Sequence, residues 1–113
     1  MKVINKNKKN IISENAIVCS TYLKKARGLM FSNQKDLIFV QKKEEKVPLH
    51  MWFVFFPIDV VYLNNKKRVV EIKENFMPFT FYFPKQKAQY VLELAQGSIQ
   101  KTKIQIKDYL LFG

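Results

Sequence analysis

Apolar residues in this chain come in short clusters spaced by polar turns, with no sustained period of 3.6. Lys2–Lys6, Ile11-Ile12 and Ala16–Cys19 are β-prone stretches separated by a polar turn at Asn7–Asn10. Ser20-Thr21 offers an N-cap, Tyr22–Ala26 a single short helix, and Gly28 its stop. Leu37–Val40 is a fully apolar strand that runs into the charged turn Lys42–Lys46. The centre is denser: His50–Phe56 and Ile58–Leu63 read as two strands broken by Pro57. Asn64–Lys67 is a hairpin turn, and Arg68–Lys73 is the returning strand. Phe76–Phe79 is an irregular apolar link, and Tyr82–Lys87 closes with a turn. Tyr90–Leu94 is a strand, Gln96-Gly97 a turn, Ser98–Lys103 a second short helix, and Tyr109–Phe112 a last strand.

Strands recurring every eight to twelve residues predict a mainly β, compact single domain: a β-sandwich or barrel with one or two short helices. A parallel βαβ architecture lacks its crossover helices. No repeat or linker divides residues 1–113, and 113 residues with 48% hydrophobic content suffice for one buried core.

Three stretches carry a family resemblance: Arg27-Gly28-Leu29-Met30, Pro57-Ile58-Asp59-Val60, and Leu92-Glu93-Leu94 with Gly97. In that order they resemble the family catalogued as domain of unknown function 192, its archaeal branch above all. The likeness runs from about Cys19 to Tyr109, with residues 1–18 as N-terminal strands. It implies a small jelly-roll-like β-sandwich and no assigned activity. Many bacterial relatives carry a signal peptide or lipid anchor; the start Met1–Lys6 has no long apolar segment. Where the family has Trp-Met-Lys-Asn-Thr, this chain has His50-Met51-Trp52-Phe53-Val54, apolar in place of Lys, Asn and Thr.

Charge changes this picture less than its size suggests. The formal net charge is +11, but only two of the 20 cations are Arg, and the Lys clusters fall mostly in turns. Dispersed lysine is a weak nucleic-acid signal, so a nucleic-acid partner is a minor reading. One Cys and one His exclude a disulfide within the chain and a cysteine-built zinc site. No cofactor or metal is implied, and a reduced, cytoplasmic setting is expected. Val47–Leu63 is too short and too interrupted for a membrane span.

Candidate chemistry then rests on a few residues. Asp59 is the only charged side chain between Lys46 and Lys66. A carboxylate there is either a structural acceptor for turn amides or a general base. Glu93 lies between Leu92 and Leu94, and Arg27 could brace either carboxylate. His50 reads as a satisfied strand residue or a ligand, and Trp52 as core or a stacking surface. The leading expectation is a non-enzymatic binding or accessory domain for an unknown small-molecule or protein ligand. The alternatives are a small enzyme using Asp59 and Glu93 oriented by Arg27, and a nucleic-acid binder.

Overall fold

Ile58–Leu63 is buried at every position, and the other strands are laid around it. The structure is a computed structural model, and it describes residues 1–19, 34–51 and 54–113. In chain order the described elements are β1 (Val3–Asn5), β2 (Asn10–Ser13), β3 (Ile17–Cys19), β4 (Leu37–Glu45), β5 (Leu49–His50), β6 (Ile58–Leu63), β7 (Val69–Phe76), β8 (Phe81–Tyr82) and β9 (Ala88–Ala95). A short helix, α1 (Ser98–Thr102), and β10 (Leu110–Leu111) follow.

A five-stranded sheet, β3-β4-β9-β6-β7, forms the middle layer. In it β6 pairs antiparallel with both β7 and β9; its run is apolar without alternation because a buried cluster covers each face of the sheet. One face packs on Val3, Ile12, Ala16, Ile99, Ile104, Leu110 and Phe112, contributed largely by the three-stranded sheet β10-β1-β2 and by α1. The other packs on Val47, Leu49, Met51, Val54 and Phe76, beside the two-stranded sheet β5-β8. Two buried clusters thus sandwich one sheet.

The mainly β single domain agrees with the sequence reading, and its sheets are not closed into a barrel. The hairpin at Asn64–Lys67 is present: the Asn64 side-chain oxygen accepts the Lys66 and Arg68 amides at 2.9 and 3.0 Å. The helix after Gly97 is also present. Gly97 enters it at φ 88, a left-handed conformation that glycine adopts without a Cβ penalty. The helix expected at Tyr22–Ala26 lies outside the described residues. Other expectations need correction: β4 runs on through Lys42–Glu45, which were expected as a charged turn. His50–Phe56 is not one strand: pairing ends at His50, and Val54 instead turns back to the Met51 carbonyl at 3.3 Å. One pair, β3 with β4, is parallel. The stretch 20–36 between them exceeds the roughly dozen residues a parallel connection needs.

A polar clasp holds the first and last strands together. Asn5, fully buried, donates to Asp108 Oδ2 at 2.9 Å and accepts the Asn7 and Lys8 amides. Lys8 Nζ reaches Asp108 at 3.0 Å, and the Gln105 amide donates to the same carboxylate at 3.0 Å. Burial opposes the Asp108 charge, but these donors outweigh it and hold its carboxyl below the ordinary range. A depressed pKa means the stabilisation is present above the unfolded value and lost as pH falls through the folded one. Acid unfolding of the wild type should therefore show stability declining below pH of about 4, where an unfolded Asp begins to bind its proton. Asp108→Asn should lower stability near neutral pH by on the order of 2 kcal/mol and flatten that acid dependence, measured by urea titration at several pH values.

Candidate functional site

The register of β6 against β9 decides which polar side chains can meet. Asp59 lies opposite Leu94 and Val60 opposite Glu93. Directly opposed residues share a face and successive residues alternate, so Asp59 and Glu93 point to opposite sides of the sheet. The two carboxylates expected as an acid–base pair therefore do not converge.

Asp59 is 1% exposed, and protein donors engage both of its oxygens. Oδ1 accepts the Asn75 amide at 3.1 Å and Oδ2 the Ile99 amide at 3.0 Å. Asn75 adopts φ 52 near the end of β7, and Ile99 lies in the first turn of α1. The carboxylate thus joins a strand end to a helix start, and it takes up an amide that the helix itself leaves without a partner. These amides come from residues 75 and 99, far in sequence from the turn after Pro57.

Glu93 sits on the other face, between Leu37 of β4 and Val60 of β6, and is buried. Tyr62 shares that face, two residues further along β6, fully buried, with its hydroxyl donating to the Val47 carbonyl at 3.4 Å. Glu71, opposite Tyr62 on β7, accepts a short hydrogen bond from the Tyr82 hydroxyl. Its other oxygen accepts the Lys85 and Gln86 amides, both at 2.9 Å. Lys73 Nζ lies 5.6 Å from the Tyr82 ring centroid. Burial, and then the negative charges of Tyr82, Glu71 and Glu93, push the Tyr62 hydroxyl far above its ordinary value. Tyr82 is pushed up to about 12 by burial, by its hydrogen bond to Glu71 and by the Glu71 charge.

His50 is half-buried on β5, opposite Phe81 of β8, at the edge of this face. Arg27 and Trp52 lie outside the described residues. Among the described residues, no three His, Cys, Asp or Glu side chains group as metal ligands. None of the described helices is long and apolar enough to cross a membrane. The sequence reading passed over Tyr62 and Glu71. The available signal was Glu71 interrupting Val69-Val70-Glu71-Ile72, a charge in a strand otherwise suited to burial.

The family model described as DUF192, uncharacterized ACR, matches residues 3–112. The chain belongs to the DUF192 family. Among archaeal relatives, this DUF192 chain is 32% identical over 110 residues to a UPF0127 protein of Thermococcus sibiricus, covering 94% of this chain and 71% of the relative. A UPF0127 protein of Pyrococcus furiosus is 35% identical over 92 residues, covering 79% and 78%. Two solved structures share the fold. A Sinorhizobium meliloti protein, named as a candidate transcription regulator, has a TM-score of 0.86 at 19% identity, covering 97% of this chain and 89% of that one. A Novosphingobium aromaticivorans protein of unknown function has a TM-score of 0.85 at 20% identity, covering 98% and 82%.

Two measurements check the site in this DUF192 domain. Asp59→Ala should destabilise the fold by about 3 kcal/mol, because it leaves two amides without acceptors, one of them buried, and opens a small void. Thermal or urea unfolding would read this. In an alkaline titration followed by tyrosine absorbance, Tyr62 and Tyr82 should ionise late. Tyr82 would give up its proton only near pH 12, and Tyr82→Phe should remove one late step. A raised pKa contributes stability that is whole below the unfolded value of about 10 and fades as pH climbs through the folded one.

Proposed function

We propose that this DUF192 chain is a non-enzymatic binding domain whose ligand site lies between the buried side of the central sheet carrying Glu93 and Tyr62 and the β5-β8 limb that covers it. The observation that carries the reading is that the register of β6 against β9 sends Asp59 and Glu93 to opposite faces of the sheet. Asp59 is taken up by two backbone amides on the far side of the sheet. Glu71 is taken up by the Tyr82 hydroxyl and two amides. Glu93, also buried, lies on the near face with Leu37, Val60 and Tyr62, and the register of β6 against β9 keeps it from converging with Asp59. Chemistry of the paired-carboxylate kind needs two groups converging on one reacting atom. A single carboxylate among aromatic and aliphatic side chains suits recognition instead. It favours a small molecule, or an exposed protein side chain, that brings a hydrogen-bond donor or cation on an apolar body.

The nucleic-acid reading draws on the +11 charge and on the name of the Sinorhizobium meliloti neighbour, a likeness of fold alone. It ranks second because the cations are dispersed lysines.

The binding reading is tested by recording amide NMR spectra while adding agmatine, spermidine, arginine methyl ester and glucose in turn. At least one should move signals grouped at Leu37, Val60, Tyr62 and Val91. Glu93→Gln should weaken that binding by roughly tenfold to a hundredfold, the value of a charge-assisted hydrogen bond. Shifts confined to the lysine-rich turns, or unaffected by Glu93→Gln, would count against it.

A further inference from the structure

The limb that covers the Glu93 face turns an aromatic surface outward. Phe55, Met77, Phe79, Phe81 and Phe83 are all exposed, Phe55 by 64% and Phe83 by 73%. They belong to one structural unit. Leu49 and His50 pair with Tyr82 and Phe81. The Met51 amide donates to the Thr80 carbonyl at 2.9 Å, and the Phe79 amide to the Met51 carbonyl at 2.8 Å. The rings group in two pairs, Phe55 edge-on to Phe79 at 5.6 Å and Phe81 stacked on Phe83 at 6.2 Å.

The pattern inverts the usual rule for a half-covered strand, which hides its apolar row and shows its polar one. Here Tyr82 turns inward to the core, while Phe81 and Phe83 on either side of it face out. Phe79 also holds φ 60, a left-handed conformation that costs a bulky residue on the order of 1 kcal/mol or more. Single exposed apolar side chains are ordinary, but a contiguous group held partly by strained backbone marks a contact surface.

Charge identifies the partner. No acidic residue occurs from Asn75 to Leu92, whereas Lys85 and Lys87, both exposed, directly follow the outward rings. Lys73 stands beside Tyr82 at their base. A second copy of this chain would bring another +11 against the first, and like charge opposes such pairing. The outward rings are all phenylalanine, with no polar edge to read a base, and the two in β8 and its extension already stack on each other. Phenylalanine over lysine is the composition that settles at a lipid headgroup boundary.

We propose that this limb docks the protein on an anionic lipid surface. Phe55, Phe79, Phe81 and Phe83 enter the boundary between headgroups and acyl chains, and Lys85 and Lys87 pair with the phosphates. The contact lies in the plane of the surface and requires no spanning segment.

The test is co-sedimentation with vesicles of phosphatidylcholine alone and of phosphatidylcholine mixed with phosphatidylglycerol. The wild type should bind the anionic vesicles, more weakly as salt rises, and bind neutral vesicles far less. Phe81→Ser with Phe83→Ser should weaken binding by about tenfold or more. Lys85→Glu with Lys87→Glu should weaken it severalfold. Both pairs change exposed side chains, so thermal unfolding should stay close to wild type. A second measurement needs no variant: nitroxide-labelled lipid should broaden wild-type amide signals at residue 55 and residues 77–83 before any others. Failure to bind anionic vesicles, equal binding by the Phe variant, or broadening spread elsewhere would overturn the proposal. So would loss of self-association or of poly(U) binding, in place of vesicle binding, in the Phe variant.

Discussion

A strand covered on both faces has no water to hydrate a charge, and this fold places a carboxylate in such a strand. Asp59 is accommodated because β7 and α1 each present a backbone amide to it. That requirement fixes the end of β7 relative to the start of α1, elements that share no sheet. It also explains the left-handed residues nearby. Asn75 and Gly97 both hold positive φ and turn the backbone where those amides are aimed. The most apolar strand of the chain is thus anchored by its one charged residue.

The same two-sided burial divides the chemistry of the domain. On the Asp59 side, polar groups serve architecture: the Asp59 tie, and the clasp of Asn5, Lys8 and Asp108. On the Glu93 side, Tyr62, Tyr82 and Glu71 gather around an apolar floor, and the limb that borders them is also the one that exposes aromatic rings. The proposed binding site and docking limb adjoin on one side of the central sheet, while the polar ties of the opposite side hold the fold together.

Much of this was legible in the residues. Strand positions, the hairpin at Asn64–Lys67 and the helix after Gly97 follow from apolar runs and turn chemistry. Asp59 stood out as a charge in an apolar run. Its partners did not, because amides donated by residues 75 and 99 leave no side-chain signature. The pairing of Asp59 with Glu93 looked plausible only because a sequence does not state register; one residue of offset between β6 and β9 sends them to opposite faces. His50–Phe56 read as a strand because aromatic residues favour strands, whereas the backbone closes back on Met51. Phe76–Phe79 read as an apolar link, with no sign that Met77 and Phe79 face outward. Hydrophobicity alone does not say whether a ring faces core or solvent.

The order β10-β1-β2 has a kinetic consequence. The third residue of the chain begins a strand whose partner on one side is completed only at residue 111. Val3–Asn5 can zip to β2 early, since that contact is local. Its other edge stays open during synthesis until residue 111 has emerged. Such long-range closure raises contact order and slows folding. Until then an unpaired edge is available to neighbouring nascent chains. Asn5 and Lys8 lie on that edge, so the clasp that secures the finished domain can close only once residue 108 has emerged.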